Sequence, residues 1–333
     1  MRILLNLFWL GVFCAVVVGG AVFWFSQEIS VSASVDGKPV PYQIKSGATG
    51  RSVASDLEDK ELIVNALAFR LLLSYYERRE GASLRAGYFM IDPKLDIKGV
   101  LQELLDGEPL TRKATIPEGY VKKQVAQSLQ EQEIVSAEEF WDALKVADLG
   151  WKFPQDLEGY LFPSTYEFPY ECSGAQAVEQ MTGQFKAVVE PMLEKYKATM
   201  PLDLRESVIL ASLVEREAQV PSERPLIAGV YINRIKKGMK LECDATVQFA
   251  LGKQKAVLLY SDLEIASPYN TYRYKGLPPG PICSPGAASL EAAFHPKKSD
   301  YLFYVRNDIK NDGSHVFGRN FSEHQANIAK YQK

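Results

Sequence analysis

ESVILASLVEREAQV, from Glu206 to Val220, reads as a helix opened by a capping box of Asp203 and Glu206. Each residue rotates a helix by about 100°, so Leu210, Leu213, Val214 and Glu217 share one side. Glu215 is turned about 200° from Glu217, towards Ser212 and Gln219, and is expected to face solvent or a polar partner. A carboxylate among leucines loses the solvation of its charged form. Its pKa rises, which suits it to donate a proton near neutral pH. A buried ion pair with Arg234 or Arg224 would equally account for the position.

The two glutamates cannot act together as acid and nucleophile, because glycosidase carboxylates face each other across the bond at about 5 to 9.5 Å. Glu217 must work alone or with a carboxylate from elsewhere. Asp244 is the nearest candidate and otherwise an ordinary turn residue. No G-x-S-x-G, S-x-x-K, H-E-x-x-H or G-x-x-x-x-G-K-[ST] occurs, which removes the serine hydrolase, penicillin-binding enzyme, zinc peptidase and P-loop readings. His295, His315 and His324 are too far apart for a helical zinc pair, and no two cysteines form C-x-x-C. No metal site and no organic cofactor is expected. Cys172, Cys243 and Cys283 allow at most one disulfide.

Towards the N-terminus, Ile3 to Phe25 carries no charge over 23 residues, enough for one bilayer-spanning helix and longer than the usual 7 to 15 of a signal-peptide core. It is read as an uncleaved anchor, although Val31-Ser32-Ala33 imitates a cleavage site. Arg2 precedes the span while Glu28 and Asp36 follow it, which predicts a cytoplasmic tail of residues 1–2 and the remainder outside. The 333 residues allow about two domains. A composition of 47% hydrophobic and 24% charged residues is globular, and a net charge of −3 gives no basic field for nucleic acid.

After a polar stalk (26–40), a strand from Tyr42, a glycine turn and a helix packing Val53 and Leu57 are expected. A second helix carries Leu62, Ile63, Ala66, Phe69, Leu72 and Leu73, a strand returns over 86–91, and a helix over about 96–106 ends at Gly107. This module (41–110) resembles a LysM-like domain, a fold often used to hold chitin-like or peptidoglycan sugars. Residues 115–150 show helical patterns, one opened by a capping box of Ser136 and Glu139, and a further helix covers about 175–198. Between them Leu157 to Phe168 is dense in aromatic rings. The fold class is therefore α+β: one transmembrane helix (3–25), the small LysM-like module, and a larger mixed α/β catalytic domain (111–333). That domain comprises a helical connecting part (111–200) and an active-site core (201–333).

Five ordered blocks carry a more specific likeness: Ala211–Glu217, Ser222–Arg234, Gly238–Gly252, Ser267–Tyr272 with Gly276–Gly286, and Ala292–Pro296. They resemble the MltG (YceG-like) family of endolytic murein transglycosylases, from about Tyr42 to the C-terminus and including Leu157–Phe168. The family's catalytic glutamate is the second acid of its E-x-E pair, which falls on Glu217. Asp244-Ala245-Thr246 departs from the family's usual Asp-Pro-Thr. The resemblance implies cleavage between N-acetylmuramic acid and N-acetylglucosamine within a peptidoglycan strand, giving a 1,6-anhydro end and terminating elongation. Tyr269, Asn270, Thr271 and Tyr272 supply the hydroxyls, amide and ring faces that an amino-sugar groove requires. Asp244, Gln248, Glu158 and Tyr160 are further substrate-binding candidates, and His295 or His315 could orient substrate. Glycan strands, the membrane and peptidoglycan synthases are the expected partners, with no nucleic acid. A lysozyme-type hydrolase using the same Glu217, or a non-catalytic cell-wall scaffold, are the alternatives.

Overall fold

Residues 2–147 and 156–332 are described by the computed structural model. Met1 of the expected tail and the end of the 115–150 helical stretch lie outside the described residues, as do residues 151–155 and Lys333. Two compact units emerge, the first comprising residues up to Arg112 with Pro169–Glu171, the second Lys113–Phe168 with the remainder from Cys172.

The first unit opens with α1 (Arg2–Glu28), whose window Leu5–Glu28 is the one described helix long and apolar enough to cross a membrane. There follow β1 (Val40–Ile44), α2 (Gly50–Asp59), α3 (Ala66–Glu80), β2 (Gly87–Ile91) and α4 (Ile97–Asp106). β1 and β2 pair antiparallel with Tyr42 opposite Phe89, and both rings join Val53, Leu57, Phe69 and Leu101 in one core. α3 starts four residues later than its apolar spacing predicts. Asn65 caps it by accepting from Ala68 N–H, and the Glu58 carboxylate takes Ala66 N–H. Leu62 and Ile63 reach the core from the preceding loop instead. The expected stalk is fastened down: Ile29 packs against this core, as does Phe25 at the end of the expected span, Ser32 bridges Asp96, and Ser34 N–H donates to the Pro93 carbonyl.

The chain continues with β3 (Thr111–Thr115), α5 (Lys122–Glu131), α6 (Ala137–Val146), β4 (Thr165–Pro169) and α7 (Gly174–Tyr196), which apart from the first two residues of β3 and the last of β4 belong to the second unit. Then come α8 (Leu204–Glu217), α9 (Arg224–Lys236), α10 (Asp244–Leu251), α11 (Tyr260–Leu263), α12 (Ala287–Phe294), β5 (Phe303–Arg306), β6 (His315–Gly318) and α13 (Phe321–Tyr331). β3 pairs with β4 and β5 with β6. Together with the helices this is the expected α+β class.

α8 is the axis. Every side chain from Ser207 to Val214 is buried, and α9, α10 and α12 pack around it. Its N-terminus has the expected box, with Asp203 Oδ1 accepting Glu206 N–H and Glu206 Oε2 accepting Asp203 N–H. Its C-terminus comes at Glu217, three residues before Val220, because Ala218 and Val220 are extended ahead of Pro221. At α6 the box is only half made: Ser136 accepts from Glu139 N–H, but the Glu139 carboxylate takes Gly174 N–H at the start of α7. A helix cap has become a helix-to-helix tie.

Candidate active site

The end of α8, the start of α10 and the β5–β6 hairpin enclose a cleft of about 890 Å³, lined by Glu217, Asp244, Gln248, Tyr272, Tyr304 and His315 among others. Glu217 enters it from the last residue of α8. Beneath it Leu210, Leu213 and Val214 are fully buried. Oε1 accepts from the Cys243 thiol at 3.1 Å and Oε2 from the Tyr304 hydroxyl at 3.2 Å. Burial raises the Glu217 pKa, opposed by those two hydrogen bonds, with the Asp244 charge adding to the rise and His315 opposing it. The helix C-terminus, which carries partial negative charge, also disfavours a carboxylate there.

Neither arginine is its partner. Arg224 Nη2 lies 3.8 Å from Glu215 Oε1, and Arg234 donates to Glu242 and to the carbonyls of Lys240, Leu241 and Leu302. Glu215 has the polar partners foreseen for it but is shut away from solvent, accepting Gly286 N–H at 2.9 Å. A Cβ at Gly286 would sit 1.9 Å from Glu118 Oε1, so a side chain there would require the Glu118 carboxylate to move.

Tyr272 and Asp244 face the cleft together, the Tyr272 hydroxyl donating to Asp244 Oδ1 at 2.5 Å. Asn270 and Thr271 turn inwards. The Asn270 amide donates to the carbonyls of Leu263 and Ile265, and Thr271 Oγ1 accepts Cys243 N–H and bonds Thr246 Oγ1. They brace the cleft from behind rather than line it. Tyr269 packs on Phe249, and Tyr160 lies buried edge-on to Phe185.

Glu158 and Gln248 line a second cavity of about 400 Å³ with Trp141 and Phe249, and Arg216, Ala245 and Gln248 belong to both cavities. Burial pushes the Glu158 pKa up to about 7, against the nearby Lys122 charge and its backbone N–H. His315 stands at the main cleft, its Nδ1 2.8 Å from Glu223 Oε2 and its ring edge-on to Tyr304. His295 stacks on Tyr196 beside a separate pocket.

Cys172, Cys243 and Cys283 are all free, so the single disulfide left open by the sequence is not made. Cys283 Sγ instead approaches the Ser212 carbonyl on α8 at 3.4 Å. Cys243, Tyr231 and Tyr304 are the contributors that sequence reasoning missed. Tyr231 on α9 bonds Tyr304 hydroxyl to hydroxyl at 2.8 Å. The one available signal was local, since Cys243 immediately precedes the candidate Asp244.

Three comparisons with known proteins bear on this geometry. The model of the YceG-like family matches residues 42–330. The endolytic murein transglycosylase of Bacillus subtilis (strain 168) is 34% identical over 95% of this chain and 91% of its own length. Its namesake in Streptococcus pneumoniae D39 is 29% identical over 96% of this chain and 64% of its own. A crystal structure of a yceG-like protein from Listeria monocytogenes superposes with a TM-score of 0.56 at 30% identity, covering 87% of this chain and 99% of that one.

Proposed function

The chain belongs to the YceG-like family, and from that premise we propose that it is an endolytic murein transglycosylase with Glu217 as its acid and base. The observation that carries the reading is a desolvated carboxylate at the head of a polar cleft, hydrogen-bonded by a thiol and a hydroxyl rather than paired with a cation. Glu217 protonates the oxygen leaving the N-acetylmuramic acid anomeric carbon. As carboxylate it then takes the proton from that sugar's own 6-hydroxyl, which closes on the same carbon to give the 1,6-anhydro end. The nucleophile is intramolecular, so no second carboxylate is required. The 2-acetamido group of the substrate can stabilise the cationic intermediate.

Asp244 and Tyr272 bind sugar hydroxyls in the main cleft. The second cavity, which shares Gln248 with the first and is lined by Glu158, takes units further along the strand. A strand cut internally must be held on both sides of the bond, and two cavities that share Arg216, Ala245 and Gln248 support that. The apolar α1 supports a single-pass anchor, with Arg2 on the cytoplasmic side and the rest outside, terminating strands near the synthases that make them. The β-α-α-β order with a following helix over 41–110 supports reading that module as LysM-like.

Digestion of uncrosslinked murein strands by the full chain in detergent, followed by mass spectrometry, tests the chemistry. Anhydro ends, one water lighter than reducing ends, are expected. Reducing ends alone would make it a lysozyme-type hydrolase, and no cleavage would leave a scaffold.

A further inference from the structure

The two groups that touch the Glu217 carboxyl come from different elements and differ in strength as donors. Cys243 lies just before α10, with its side chain 1% exposed and its backbone N–H fixed by Thr271 Oγ1. Its thiol is a weaker donor than a hydroxyl, yet at 3.1 Å it orients Oε1 and helps to favour the charged form. Tyr304 sits on β5, and its hydroxyl stands between Glu217 Oε2 and the Tyr231 hydroxyl, either tyrosine being able to donate to the other. When Glu217 is ionised, Tyr304 donates to it and accepts from Tyr231. When Glu217 carries the proton, both tyrosine rotors can reverse, leaving the acid proton free to point into the cleft. A carboxyl that must be acid in one half of the reaction and base in the other needs such an adjustable partner.

We infer that Cys243 and Tyr304 are positioning residues that aim the Glu217 carboxyl and set the pH at which it carries its proton. This rests on Glu217 being the catalytic acid, but adds a role for a thiol that would otherwise pass as core. The titratable groups around Glu217 are Cys243 and Asp244 from the start of α10, Tyr231 from α9, Tyr304 from β5 and His315 from β6. The thiol itself stays neutral, because burial and the neighbouring Glu217 charge hold its pKa well above the usual value. It therefore acts as a hydrogen-bond donor and not as a nucleophile.

The test is the pH dependence of kcat/KM on uncrosslinked murein strands, with melting curves, for the full chain and its C243A, C243S and Y304F variants. A general acid must be protonated, so the rate falls as pH rises through its pKa. C243A and Y304F remove a donor to the carboxylate, raise that pKa and should move the falling limb up by about half a unit or more, with lower kcat. C243S supplies a stronger donor in nearly the same place. It should move the limb the opposite way and recover kcat relative to C243A. If C243A fails to fold, the direction of the C243S shift alone decides. Limbs that stay put in stable variants, or serine and alanine variants that behave alike, would overturn the inference. Retained anhydro-product release by E217Q would instead bring down the Glu217 reading beneath it.

Discussion

Glu215 and Glu217 stand two residues apart on the last turn of α8 and occupy opposite environments. On the Glu215 side a carboxylate meets a guanidinium and a backbone N–H, with Glu118 behind the gap that Gly286 leaves open. On the Glu217 side a carboxylate meets a thiol and a tyrosine hydroxyl and opens into a cleft. The first set of partners stabilises charge and fixes a loop. The second leaves charge under-compensated, which is the condition for moving a proton. Residue type and secondary structure are the same on both sides, so the difference lies wholly in what other elements bring to each face.

The largest effect that could break this contrast is on turnover. Glu217→Gln keeps the shape but cannot carry a proton, and should cut anhydro-end formation by about 10² to 10⁴, whereas Glu215→Gln should keep most of it. Near-equal losses in the two variants would end the distinction. On stability the order reverses. Glu215→Gln leaves Arg224 with its bond to Ser289 Oγ and only the Glu118 charge, and should cost about 1 to 3 kcal/mol in urea unfolding, while Glu217→Gln should melt at the same temperature or higher.

The pH dependence sharpens the second half. Glu217 has a folded pKa raised above 4.5, so between those two values the folded state binds more protons than the unfolded one, and its contribution to stability falls as pH rises. The melting-temperature advantage of Glu217→Gln should therefore be absent below about pH 4 and grow above it. A flat difference across pH 3 to 8 would mean that the carboxyl is not desolvated. The smallest effect concerns the neighbouring acid. Tyr272→Phe takes a hydrogen bond from Asp244 and concentrates its negative charge facing Glu217, so the falling limb of the rate profile should move up by a fraction of a unit.

The phase of α8 was readable because one turn of periodicity suffices to separate Glu215 from Glu217. Its end was not, since Ala218 looks helical and only the extended Val220 before Pro221 stops it. The partners of Glu217 were hidden for a different reason. Cys243, Tyr231 and Tyr304 come from three elements, and the β5–β6 hairpin that delivers Tyr304 pairs four-residue strands too short to declare themselves by alternation. Leu62 and Ile63 show the converse error: apolar spacing records burial, and a loop tucked under a helix matches the period as well as another turn would.

Phe25 and Ile29 give the anchor a mechanical meaning. A helix that ends inside the fold it carries leaves no slack, so for a chain anchored as proposed α1 works as a ruler, fixing the height of the first unit above the lipid headgroups. Each residue added to α1 would raise that unit by about 1.5 Å and swing it through about 100°, so its orientation against the wall is written in the length of the helix.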